Sequence, residues 1–194
     1  MAIRPAPTES TGRSRYDGQR MSPEEYLNLP EEKPYLEYFE GRVVQKAMPR
    51  RSHGQLQGAL SHFFFLYQRA AGGSFGTEVR SWFDSSNVPA YRLPDLSYWA
   101  PAKAPGDEAM SLPPTLAVEI RSSSESMRTQ RAKCRFYREH GVDVCWLIDP
   151  ESRTAEVFDS VRDGAVLVAS DSLESSALPG FSLPLHELFA VLDS

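Results

Sequence analysis

The stretch TLAVEIRSSSESMRTQRAKCRFYREHGVDVCWLID, Thr115 to Asp149, decides the fold. It opens on an apolar run, Leu116, Ala117, Val118 and Ile120, and passes through a serine cluster. A helical pattern then begins near Ser126 and ends at His140-Gly141, and Val142 to Asp149 forms a second apolar run. Short apolar runs bounded by turn signals read as buried strands, and glycine suits the left-handed residue that ends a helix. A strand, a helix and a second strand in that order call for a sheet with helices packed on it. Yet Glu119 sits inside the first run, and Arg121 follows two residues later. An unpaired charge in a core costs on the order of several kcal/mol, so something must compensate the carboxylate.

Working outward, Ser22-Pro23-Glu24-Glu25 predicts a capped helix to about Leu29, followed by strands at Tyr35 to Phe39 and Arg42 to Met48 that turn at Glu40-Gly41. From Ser52 the period is helical, with Leu56, Leu60, Phe63, Phe64 and Tyr67 on one face and Gly72-Gly73 as the stop. Strands are expected at Phe75 to Phe83, Tyr91 to Trp99 and Thr154 to Phe158, an edge strand at Val166 to Ala169, and a terminal helix at Pro184 to Leu192. The expected fold class is α/β, in the α+β sense of one central mixed sheet flanked by helices. Residues 1–20 are rich in Arg, Ser, Thr, Pro and Gly and read as a flexible tail; 21–194 read as a single domain.

A net charge of −5 argues against coating nucleic acid by bulk positive charge, so any such contact must be a local patch. Two cysteines, Cys134 and Cys145, form neither a metal knuckle nor a disulfide framework, which fits a reducing, cytoplasmic setting. No apolar run is long enough to cross a bilayer, and the first residues lack the apolar block of a signal peptide, so no membrane partner is expected.

Asp95, in YRLPDLSYW, is a second acid interrupting an apolar strand. Two such strands side by side would bring both carboxylates together, and a Mg²⁺ ion, which favours oxygen ligands, would compensate them. The plainer alternative is that Glu119 pairs with Arg121 or another base and Asp95 caps a turn after Pro94. On the following helix, Arg128, Arg131, Arg135 and Arg138 fall in one sector at about 100° per residue, a basic stripe suited either to solvent or to a phosphate backbone. Lys133 lies nearly opposite, on the face that meets the sheet. There it would hold or deprotonate a water and neutralise charge on a phosphate, unless its stem only snorkels to the surface. Glu37 and Glu40 flank the first hairpin, and His53 opens the long helix beside Arg50 and Arg51.

Taken in order, YLEYFEGRVV, RSHGQL, LPDLSYW, PTLAVEIRSSS, KCRFYREHGVDVCWLIDP and LPGFSLPLHELF resemble the putative restriction endonuclease family, a branch of the PD-(D/E)xK nuclease superfamily. The resemblance covers nearly everything from Met21 onward and implies a restriction-endonuclease-like core. It also implies Asp95 and Glu119 as metal-binding carboxylates, with the peptide carbonyl of Ile120 facing the same ion. The superfamily's simplest pattern has a lysine two residues after the glutamate, where this chain has Arg121; in the family resembled it moves to the next helix, at Lys133. Glu37 matches an acidic position that completes the site, and His53 a recurrent histidine. Ser123 replaces a proline, Thr129 an acid and Arg121 an aliphatic residue.

The resulting expectation is a Mg²⁺- or Mn²⁺-dependent endodeoxyribonuclease, with Asp95, Glu119, Lys133 and Glu37 catalytic and Arg121, His53, Arg128 and Arg131 against the substrate. DNA is the expected partner, and a homodimer would pair two active sites for two strands. The rival expectation is a non-catalytic nucleic-acid or protein interaction module that keeps the fold. A metal hydrolase for another phosphate ester is a third.

Overall fold

The computed structural model describes residues 12–85, 88–104 and 112–193. Its central feature is a six-stranded sheet in the order β10-β9-β8-β7-β6-β3. The strands are β3 (Ser74–Gly76), β6 (Leu96–Trp99), β7 (Leu116–Ile120), β8 (Val144–Asp149), β9 (Thr154–Phe158) and β10 (Asp163–Leu167). Among the described residues only β7 and β8 run parallel, joined by α3 (Met127–Glu139), so Thr115 to Asp149 forms a crossover unit of this sheet. A smaller antiparallel sheet, in the order β2-β1-β5-β4, holds β1 (Leu36–Phe39), β2 (Arg42–Gln45), β4 (Ser81–Phe83) and β5 (Ala90–Arg92).

Side chains alternate across a strand, and β7 shows what that does here. Leu116, Val118 and Ile120 face the long helix α2 (Arg51–Ala71) and join Leu56, Leu60, Phe64 and Trp146 in the main core. Ala117 faces the other way, packing with Cys134, Tyr137 and Cys145 beneath α3. Glu119 shares that second face, so its carboxylate enters the space under α3.

Two expected strands each divide in two. Phe75 to Phe83 breaks between β3 and β4, where Glu78 has φ of 54°, and Tyr91 to Trp99 breaks between β5 and β6 at Leu93-Pro94-Asp95. Pro94 has no N–H to give a ladder, and its carbonyl instead accepts from Glu78 N–H at 3.2 Å. The two links therefore change sheets side by side, and the seam they form is where the charged residues gather.

Smaller differences follow from edges. Residues 12–20 do not form part of a loose tail: Gly18 N–H donates to Val43 carbonyl at 2.8 Å and Val43 N–H to Gln19 carbonyl at 2.9 Å. They cover the outer side of β2, whose unpaired backbone groups would otherwise be left open. Residues 1–11 lie outside those described. The edge strand is β10 rather than Val166 to Ala169. The terminal helix α4 (Leu185–Ala190) ends in a 3₁₀ turn, and a short ladder of β11 (Ser172–Leu173) with β12 (Leu183–Pro184) precedes it.

Candidate active site

The seam opens into a cleft of about 660 Å³ lined by Glu37, Lys46, Glu78, Asp95, Glu119 and Lys133, among others. Each comes from a different piece of chain: β1, the residue after β2, the two sheet-changing links, β7 and α3. Asp95, Glu119 and Glu37 are each only 2% exposed.

Asp95 is held on both oxygens. Its Oδ2 accepts from Ile120 N–H at 2.6 Å and lies 3.1 Å from His53 Nε2, and its Oδ1 accepts from Lys46 Nζ at 2.7 Å. Burial alone would raise its pKa, but Lys46 and then His53 outweigh burial and hold it well below the usual carboxylate range. The same contact works in reverse on His53, whose pKa burial would lower and Asp95 raises.

Glu119 accepts from Tyr137 O–H at 2.7 Å through Oε1, and Lys133 Nζ lies 3.0 Å from that oxygen and 3.1 Å from Oε2. Lys133 also reaches Glu37 Oε1 at 3.0 Å. Burial pushes Glu119 up to about 7; Lys133 opposes this and the charge of Asp95 adds to it. Glu37 goes the other way, because Lys133 and Arg92 overcome its burial and bring it to about 2. It also accepts from Leu93 N–H at 2.9 Å and from Arg92 Nη1 at 2.8 Å. Burial works against the charge of Lys133, yet Glu119 and Glu37 raise its pKa, so it stands as an ammonium that donates and neutralises rather than a free base.

The structure thus brings together Asp95, Glu119, Ile120, Lys133, Glu37 and His53. Of the two plain alternatives, the first describes Glu119, which pairs with a base other than Arg121, namely Lys133; the second does not describe Asp95, which accepts from Ile120 N–H of the neighbouring strand rather than capping its own turn. Ile120 meets the site through its amide, fixing Asp95.

Three expected substrate contacts lie elsewhere. Arg121 turns into a separate pocket of about 90 Å³, where Nη1 meets Asp149 Oδ2 at 3.1 Å and Glu151 Oε2 at 2.8 Å. Arg131 is clamped by both oxygens of Glu156, at 2.8 and 2.6 Å. Arg128 is exposed and outside the cleft lining. Two of the four arginines of the basic stripe thus meet acids, Arg131 on β9 and Arg135 through Asp163 on β10.

Sequence reasoning missed Lys46, Glu78, Arg92 and Tyr137. Arg92 carried the signal that betrayed Glu119, a charge inside an apolar strand; it is 8% exposed, with its guanidinium 4.0 Å from the Phe39 ring centre. Lys46 and Glu78 gave no such signal, since Lys46 follows Gln45 near the end of a mixed stretch, RVVQKAM, and Glu78 stands between Thr77 and Val79 in another, GTEVR.

Among the described residues no group of three or more His, Cys, Asp and Glu side chains is arranged to hold a metal. The donors that fit an ion are two carboxylates, those of Asp95 and Glu119, with waters to complete the shell, a set that suits Mg²⁺. One observation bears on that fit directly: the Lys46 ammonium already has three oxygens around it, from Glu78, Leu93 and Asp95, at 2.6 to 2.7 Å.

Residues 23–186 match the Uma2 family, described as "Putative restriction endonuclease". Among solved structures, the chain resembles one described as a putative nuclease from Anabaena variabilis, with 26% identity and a TM-score of 0.78, over 89% of this chain and 99% of that one. No curated protein matches it.

Proposed function

The chain belongs to the Uma2 family of putative restriction endonucleases, and from that footing we propose that it is a divalent-metal-dependent endodeoxyribonuclease hydrolysing phosphodiester bonds. The observation that carries the reading is the convergence of two buried carboxylates, Asp95 and Glu119, on a cleft that also holds the inward lysine Lys133. Asp95 and Glu119 would hold Mg²⁺ or Mn²⁺, with Ile120 offering its carbonyl beside them. A bound ion supplies Lewis acidity and a lowered pKa for water.

The chain's own residues do the rest. Ile120 N–H and His53 fix the orientation of Asp95, so the carboxylate pays no ordering entropy on binding. Tyr137 does the same for Glu119. Lys133, kept charged by Glu119 and Glu37, donates to a water or neutralises charge developing on a non-bridging phosphate oxygen. Glu37 anchors Lys133 and is itself anchored by Arg92 and the Leu93 amide.

In a test with supercoiled plasmid, the purified protein should nick DNA in Mg²⁺ or Mn²⁺ and stop when the metal is chelated. Glu119→Gln should lose more than about 100-fold in rate, beyond the loss usual for a residue that only supports a ligand. Equal nicking by that variant would defeat the assignment.

A second reading, a non-catalytic interaction module, is favoured by one observation: each carboxylate oxygen of the Asp95–Glu119 pair already receives a protein donor. Mn²⁺ calorimetry separates the two, because a module with a closed site gives no heat that depends on Asp95. A cytoplasmic homodimer acting on DNA completes the proposal, supported by free, buried Cys134 and Cys145 and by the need for two cuts in a duplex.

A further inference from the structure

Lys46 is surrounded as a metal ion is surrounded. Its Nζ lies 2.6 Å from Glu78 Oε2, 2.6 Å from Leu93 carbonyl and 2.7 Å from Asp95 Oδ1, so the three protons of the ammonium meet three acceptors. The side chain is 12% exposed, and the acceptors are two carboxylates and a peptide carbonyl, the all-oxygen set that hard divalent cations take. Asp95 Oδ2 is committed to Ile120 N–H and His53, which leaves Oδ1 as the oxygen open to an ion. The ammonium sits on that oxygen.

We propose that Lys46 is a built-in competitor for the divalent ion: its ammonium fills the cation seat at Asp95 Oδ1 in the metal-free protein, and metal loading displaces it. Glu78 and the Leu93 carbonyl keep the displaced ammonium in the cleft. The inference rests on the metal-dependent reading above and adds a device to it. Without Lys46, Asp95 would be a buried carboxylate with too little compensation, and the empty site would be costly to fold. With it, the site is formed before metal arrives, and the ion must replace one positive charge by two at the same oxygen. The seam is preorganised at the expense of metal affinity.

The test is calorimetric titration of the full chain with MnCl₂, wild type against Lys46→Met. The expected result is about tenfold tighter Mn²⁺ binding in the variant, equal to about 1.4 kcal/mol. A merely structural role predicts the reverse, since a loosened site binds metal less well. Equal or weaker affinity in the variant, with wild-type binding intact, overturns the competition and leaves the metal-dependent reading standing. No Mn²⁺ binding by either protein overturns both. If Lys46→Met fails to fold, wild-type crystals grown in MnCl₂ decide the matter. An ion on Asp95 Oδ1 with Nζ beyond hydrogen-bond reach supports the proposal, and Nζ still bonded to Oδ1 overturns it.

Discussion

Glu119 and Glu37 are carboxylates of equal burial whose surroundings drive them in opposite directions, and both effects reach stability. Glu37, brought to about 2 by Lys133 and Arg92, contributes stability that is present above its unfolded value of 4.5 and lost as pH falls toward 2. Glu119, pushed up to about 7, keeps a proton that the unfolded chain releases near 4.5. The folded state therefore binds the extra proton between those values, and this contribution is lost as pH rises through the window. Glu119→Gln removes the titration, so thermal melts of the metal-free variant from pH 5 to 8 should decline less steeply than wild type. Parallel curves would show that Glu119 is not the group responsible. Asp95, Glu119 and Lys133 could be singled out in the sequence because each breaks an apolar pattern. Lys46 breaks none, since its partners are 32, 47 and 49 residues away and converge only once both sheet-changing links are in place.

At the scale of elements, α3 is the lever that sets Lys133 against β7. Its first turn is capped by Ser126, whose hydroxyl accepts from Thr129 N–H at 3.1 Å. Ser126→Ala should cost about 1 kcal/mol in urea unfolding; an unchanged midpoint would mean the cap is dispensable. On the opposite face, Phe64 stacks on Phe181 at 4.8 Å and has no exposed surface, so Phe64→Ala should cost about 3–5 kcal/mol by the same measurement. A loss under about 1 kcal/mol would indicate a core able to collapse around the gap. The long helix α2 was legible because its apolar period runs over several turns, and the short helix at Pro23–Leu27 because Ser22 and Pro23 mark its start. The strands were legible as apolar runs but not as members of two sheets. Periodicity reports that a segment is extended, whereas Pro94 and the positive φ of Glu78 decide where it leaves one sheet for the other.

Across the whole molecule, the N-terminal segment and the seam carry the largest departures from what the sequence suggests. A chain beginning at Met21 should melt several degrees below one beginning at Gly12, since about 1 kcal/mol is worth about 2–4 °C at this size. Identical melts would show that the bonds of 12–20 to β2 add nothing. The proposed dimer predicts a light-scattering mass of twice the 21.7 kDa chain, and a monomer mass would remove it from the functional reading.

The alternation along β7 has one last consequence, for the kinds of change this chain can inherit. Leu116, Val118 and Ile120 face α2 while Ala117 and Glu119 face α3. Position in this strand is thus a matter of parity. Losing or gaining one residue just before Glu119 would turn its carboxylate into the apolar layer under α2 and an aliphatic side chain toward Lys133, abolishing site and core in one step. A two-residue change restores the facing. Length variants of this strand should survive only in even steps, while point substitutions that respect the facing pass one at a time.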